Sequence, residues 1–319
     1  MSITDQTGTL TEDFAVSLQN VSKAFIQKQP GKLFRPARGR VQALDDVSFQ
    51  VRRGEFIAYA GPNGAGKSTT IKLLAGMLRQ NTGEISVLGM SPVKNRITLM
   101  RELGVLFGNR TELWWDHPVS SSYRWKRDVW DIPRQVYGEM EALVLELLDI
   151  KPFYNVFARE LSLGQRMRAD LGMMLLHRPS LILLDEPTLG LDVLAKRQMI
   201  NFLKQLNELS GATIIVTSHD IDDLEEMAKR ILLISSGKIA FDGDFYALRE
   251  ALALKKKAIV SFRDGARKEL EYTDTGALLR EISDMGDVID IEFTRTPLEE
   301  GLAMLYRSWR DQPGGGLTT

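Results

Sequence analysis

The stretch GPNGAGKSTTIKLLAGML, Gly61 to Leu78, decides the fold. It joins an apolar strand-like segment, EFIAYA, to a helix whose apolar residues recur at helical spacing. At that junction Gly61, Gly66, Lys67 and Ser68 fill the pattern G-x-x-x-x-G-K-[ST]. The chemistry follows from the residue types. Glycines let backbone N–H groups curl around phosphate oxygens, and the start of the helix adds partial positive charge. Lys67 is placed for the terminal phosphates and Ser68 for Mg²⁺, with Pro62, Asn63, Gly64, Ala65 and Thr69 completing the turn.

Outward from this turn, Leu181–Leu184, Thr213–Thr217 and Ile231–Ile234 read as short buried strands. Leu194–Leu209 and Ile221–Lys229 read as the helices between them, and LGVLFG before Asn109 as a further strand. Strands alternating with helices imply an α/β fold around a mostly parallel sheet. The apolar run before Asp185 and Glu186 delivers two carboxylates to the strand's carboxyl end, where phosphate and metal sit in such folds. Asp185 is the candidate Mg²⁺ partner and Glu186 the candidate base for an attacking water.

Composition narrows the class further. The chain has 319 residues, 44% hydrophobic and 26% charged, with a net charge of −1, so no global attraction to nucleic acid or an anionic membrane is implied. The absence of cysteine excludes disulfides and thiolate metal sites and fits a reducing compartment. MSITDQTGTLTEDF has no basic region followed by an apolar run, so no secretory signal is expected. The most apolar stretch, Leu171 to Leu191, is broken by charges and prolines and is too interrupted to span a bilayer. No internal repeat is visible.

LSLGQRMR, Leu161 to Arg168, lies between the phosphate turn and Asp185 and resembles the signature motif of the ABC ATPase family, usually LSGGQ. Leu163 replaces the first glycine, while Ser162, Gly164 and Gln165 remain. LGLD, Leu189 to Asp192, resembles that family's D-loop, and His219 in IIVTSHD its switch histidine. Phe25 matches the aromatic that stacks on adenine, with Phe34 as a competitor. Asn109 stands where the family has a glutamine that touches Mg²⁺ and the attacking water; it keeps the amide but is one methylene shorter. His117 and His177 match no family position and read as structural.

The resemblance implies an ABC-type P-loop NTPase: a mixed-sheet core over residues 15–245 with a helical subdomain at about 110–165. Residues 246–310 read as a small α+β domain of ββαβα order, 1–14 as a flexible tail and 311–319 as a disordered tail. It implies ATP and Mg²⁺ as cofactors and a dimer in which Ser162 and Gly164 act on the partner's ATP. It also implies separate membrane permeases, and hence a cytoplasmic protein peripheral to the membrane. The tail domain resembles those of ABC-2 exporters, which favours export. ABC ATPases that act on nucleic acid or in translation are the alternative. Their long coiled coils, zinc-binding cysteines or second cassette are absent here, so no nucleic acid is expected. Lys28 to Arg40 reads as a basic, solvated loop. Trp114, Trp115, Trp125 and Trp130, interleaved with Arg124, Lys126 and Arg127, suggest a permease-docking face at Trp114 and Trp115.

Overall fold

In the computed structural model the described residues are 13–29, 37–108, 110–252, 256–295 and 297–311. The chain divides into two compact units, Met1–Asp242 and Gly243–Thr319. The division falls three residues before the boundary read from the sequence.

The first unit opens with a long hairpin, β1 (Phe14–Gln29) and β2 (Ala37–Arg52), followed by β3 (Phe56–Ala60), α1 (Lys67–Leu74) and β4 (Thr82–Val87). Next come α2 (Arg96–Glu102), β5 (Leu103–Phe107), α3 (Val119–Val129), α4 (Arg134–Leu147) and α5 (Leu163–Leu175). It continues through β6 (Leu181–Asp185), α6 (Val193–Ser210), β7 (Thr213–Thr217), α7 (Ile221–Met227), β8 (Arg230–Ser235) and β9 (Lys238–Asp244).

Two sheets form this unit. β1, flanked by β2 and β4, makes an antiparallel three-stranded sheet. The other sheet has the order β5-β6-β7-β3-β8-β9, with parallel pairing from β5 through β8. Composition explains the difference. In β2, Val47, Phe49 and Val51 are buried while Ser48, Gln50 and Arg52 are exposed, the period-two pattern of a sheet with one wet face. β3 and β7 are buried at every position, as strands covered on both faces require. One apolar core lies between the sheets, where Val16, Leu18, Val47 and Ile85 meet Ile57, Leu183, Ile215 and Leu232, and Ile71 and Leu74 of α1 join it.

The hairpin differs from its sequence reading. A loop over Lys28 to Arg40 was expected. Instead β1 runs to Gln29 and pairs with β2 from Ala37, with Phe25 opposite Val41 and Ile26 opposite Arg40. Ladder hydrogen bonds do not depend on side-chain polarity, so charged residues extend a strand whenever its partner is in register. Phe34 lies outside the described residues. β4 and β9, each rich in glycine or charge, were not legible either.

The second unit holds α8 (Phe245–Ala251), β10 (Lys256–Phe262), β11 (Arg267–Tyr272), α9 (Thr275–Ser283), β12 (Val288–Arg295) and α10 (Leu298–Asp311). β10 is the centre of a three-stranded antiparallel sheet. Its Ala258 and Val260 pack on Leu278 and Ile282 of α9. No helix among the described residues is long and apolar enough to cross a membrane.

Candidate nucleotide site

Because β3, β5, β6 and β7 are parallel, their carboxyl ends share one edge of the sheet, where α/β folds place ligands. Across that edge Phe107 pairs with Asp185, Asp185 with Thr217, and Thr217 with Tyr59. The glycine-rich turn leaves β3 at this edge and enters α1.

Two glycines of the turn are required by contact. A Cβ on Gly61 would stand 2.2 Å from the Ile234 carbonyl oxygen. One on Gly66, whose φ is 119°, would stand 2.7 Å from the Ala43 carbonyl oxygen. Inside the turn Ala65 N–H donates to Pro62 O at 3.1 Å, and the Ala65 carbonyl accepts Gly237 N–H at 3.0 Å. The first i→i−4 bond of α1 runs from Thr70 N to Gly66 O at 2.9 Å. The N–H groups of Lys67, Ser68 and Thr69 therefore precede it, as helix geometry dictates, and form a helix start of the kind that favours an anion.

Lys67 is buried, and its Nζ donates to Gly61 O at 2.6 Å and Pro62 O at 3.4 Å. Burial pulls its pKa down, while the charges of Glu186 and Asp185 oppose that shift. Asn63, Gly64, Gly66, Lys67, Ser68, Thr69, Glu186, Leu189 and His219 line one open cleft of about 510 Å³.

Asp185 and Glu186 are split to two sides. Glu186 adopts a left-handed conformation, φ 58°, which turns it out of the strand direction and into the Lys67 cleft. Its Oε2 accepts His219 Nδ1–H at 2.7 Å and His219 N–H at 3.3 Å. Asp185 lines a neighbouring cavity of about 390 Å³, and Ser68 belongs to both spaces. A hydroxyl and a carboxylate at the turn are a hard-oxygen donor set that suits Mg²⁺, which keeps several waters of its own. Among the described residues no cluster of three or more His, Asp or Glu side chains forms a metal cage. The residues present thus fit Mg²⁺ bound jointly with phosphates. Thr217, read from the sequence only as the end of a strand, touches both carboxyl residues: its Oγ1 lies 2.7 Å from Asp185 Oδ1 and 3.1 Å from Glu186 N.

The other expected residues lie elsewhere. Asn109 falls outside the described residues, but Gly108 beside it donates its N–H to Asp185 O at 2.8 Å. Ser162 caps α5. Its Oγ accepts Gln165 N–H at 3.2 Å, and Gln165 Oε1 accepts Ser162 N–H at 2.9 Å, a reciprocal capping box. Neither these two nor Gly164 lines the Lys67 cleft. Asp192 caps α6 through Ala195 N–H at 2.8 Å and is also outside the cleft. Phe25 is 37% exposed on β1, with Lys23 Nζ 5.2 Å from its ring centre.

A polar assembly around buried Asp170 and Lys126 ties α5 to the segment after β5. Asp170 Oδ1 accepts the Thr111 hydroxyl at 2.9 Å and Glu112 N–H at 3.0 Å. Glu112 pairs with buried Lys126 at 3.1 Å, and the ammonium of Lys126 sits 3.8 Å from the Trp130 ring centre. His177 packs on Trp130 at 4.6 Å and donates from Nε2 to Leu103 O at 3.2 Å. Burial, aided by the Lys126 charge, pushes its pKa to about 4. Trp114 and Trp115 remain 39% and 50% exposed, Trp114 against Trp125 and His117, Trp115 under Arg166. The four tryptophans therefore divide between half-buried positions, Trp125 and Trp130, and exposed ones, Trp114 and Trp115.

Residues 44–189 match the family described as ABC transporter. An ABC transporter ATP-binding protein of Methanosarcina mazei is 34% identical over 205 residues, 64% of this chain and 41% of that protein. The Bacillus subtilis ABC transporter ATP-binding protein YhcH is 34% identical over 202 residues, 63% of this chain and 65% of its own length. The chain thus spans less than two thirds of either relative. Among solved structures, a dimeric ATP-binding cassette bound to ADP and Pi superimposes with a TM-score of 0.61 at 24% identity, covering 72% of this chain and 98% of the other. Clostridium perfringens cbiO1, part of the transporter complex cbiONQ, gives 0.63 at 23%, covering 76% and 94%. These two show the same fold. Sequence match and fold agree: residues 44–189 of this chain match the ABC transporter family, whose relatives named above are ATP-binding proteins.

Proposed function

We propose that the chain is the ATP-hydrolysing subunit of an ABC transporter, working as a dimer on separate membrane permease subunits. The observation that carries this reading is the convergence of Lys67, Glu186 and His219 on one cleft that shares Ser68 with the Asp185 side. The start of α1 and Lys67 hold the phosphates. Ser68 and Asp185 would hold Mg²⁺, with Asn109 as the expected third contact, and the ion would supply neutralisation of the phosphate charge. Glu186 takes the proton of the attacking water, and His219 orients its carboxylate through Nδ1–H.

Ser162, Gly164 and Gln165 lie outside this chain's own Lys67 cleft, which supports their acting on the ATP of a second copy or a related subunit. Asp192 belongs to the same dimer face and Phe25 to the adenine contact. The solved relatives include a dimeric cassette and a component of a transporter complex, which supports both partnerships. The exposed Trp114 and Trp115 are the docking point for the permease at the cytoplasmic face, and export is the direction favoured by the second unit's ββαβα order.

Glu186→Gln tests the reading. Glutamine keeps an acceptor for His219 but cannot take a proton, so kcat should fall about 10²- to 10⁴-fold while ATP binding persists. With ATP and Mg²⁺ the variant should elute as a dimer. A monomer that binds ATP normally would sink the shared-site mechanism.

A further inference from the structure

Sequence reading took Thr217 as the last residue of a buried strand. The geometry points to more: we propose that Thr217 is a positioning residue that holds the metal-binding and base carboxylates in their two separate directions. The inference rests on the nucleotide-site reading given above.

Thr217 is fully buried at the end of β7, directly across the ladder from Asp185. Its hydroxyl donates to Asp185 Oδ1 at 2.7 Å and accepts Glu186 N–H at 3.1 Å. The Thr217 carbonyl accepts the same N–H, also at 3.1 Å. One hydroxyl therefore uses both its donor and its acceptor on consecutive residues.

Both bonds act where the chain needs them. Asp185 ends a strand, and its carboxylate could rotate about χ1 and χ2; fixing Oδ1 aims the remaining oxygen. Among the described residues Oδ2 has no protein partner, and Asp185 shares its cavity with Ser68. Glu186 sits at φ 58°, a region that a residue bearing a Cβ adopts only when its surroundings enforce it. Anchoring its N–H on two oxygens of Thr217 fixes the peptide plane from which this turn starts, and the turn puts the Glu186 carboxylate beside Lys67 and His219. A valine would fill the same space and remove both hydroxyl bonds. A serine would keep them.

The test compares Thr217→Val and Thr217→Ser in the full chain. Thr217→Val should lower kcat about 10- to 100-fold, since small misplacement of reacting groups has effects of this size. KM for ATP should stay within about twofold, because the phosphate turn is untouched. The Mg²⁺ concentration giving half-maximal rate should rise about tenfold. Thr217→Ser should restore all three values.

A second readout needs no turnover: the tightening of fluorescent-ATP binding on adding Mg²⁺ should be lost in Thr217→Val and kept in Thr217→Ser. If Thr217→Val does not fold, as shown by its melting curve, Thr217→Ala takes its place with the same expectations. Wild-type kcat and Mg²⁺ dependence in a folded variant without the hydroxyl would overturn the proposal while leaving the ATPase reading intact. A wild-type chain that hydrolyses no ATP would instead refute the reading, and the binding measurement would still decide the role of Thr217.

Discussion

Asp170 offers a quantitative check on the assembly that joins α5 to the segment after β5. Its carboxyl group is 6% exposed, and burial pushes its pKa up to about 6, with the Glu112 charge adding to the rise and the Thr111 and Glu112 hydrogen bonds opposing it. From the ordinary value of 3.8 this is a rise of about two units, or roughly 3 kcal/mol between protonation states. A raised folded-state pKa means that the native state binds more protons than the unfolded state between pH 3.8 and 6. The Asp170 contribution to stability is therefore most favourable below about pH 4, declines as pH rises through that window, and is constant above it.

Asp170→Asn keeps an acceptor for Thr111 and Glu112 but does not titrate. Its amide adds two donors, and a buried unsatisfied donor costs about 1–3 kcal/mol, so the net change at any one pH is a balance of similar terms. The difference between two pH values is free of that balance. Relative to wild type, the variant should gain about 2 kcal/mol on going from pH 4.5 to 7.5. Urea unfolding followed by tryptophan fluorescence measures it, since the four tryptophans Trp114, Trp115, Trp125 and Trp130 lie in the region concerned. Parallel stability profiles for the two proteins would refute the reasoning.

Other consequences concern the turn, the cleft and the docking face. Lys67→Ala removes the buried ammonium and should weaken ATP binding at least tenfold by equilibrium titration; unchanged affinity would undo its assignment. Gly66→Ala forces a Cβ into the Ala43 carbonyl at a φ of 119° and should cost about 1–3 kcal/mol in denaturant unfolding as well as nucleotide affinity. A neutral result would show that the turn relaxes freely. Trp114→Ala should preserve basal ATPase activity yet uncouple it from transport in reconstituted vesicles; intact transport would return Trp114 to local packing.

Much of the site was legible because its chemistry is local in sequence. Phosphate binding needs consecutive N–H groups, so Gly61 to Thr69 occur as one string, and a buried parallel strand must be continuously apolar, which marks Leu181 to Leu184 and the carboxylates after them. The structure shows that Ser162 and Gln165, read only through the signature resemblance, form a capping box, so the string also has a local structural job. Strand ends were less visible. Charged residues in the β1–β2 hairpin pair through backbone groups that side-chain pattern does not report.

The family resemblance and the candidate phosphate turn were readable from the sequence, because both depend on residue type and spacing along the chain. Tertiary structure alone decided which strand ends are neighbours. It brought Thr217 against Asp185 and Glu186 from 32 and 31 positions away, and Asp170 against Thr111 from 59 positions away. It also turned Glu186 into a cleft separate from the Asp185 cavity through a backbone angle that no side-chain pattern announces. Such contacts arise from sheet order and helix packing, where the pairing partner of a residue is set by burial of a whole face and not by its own neighbours in the chain.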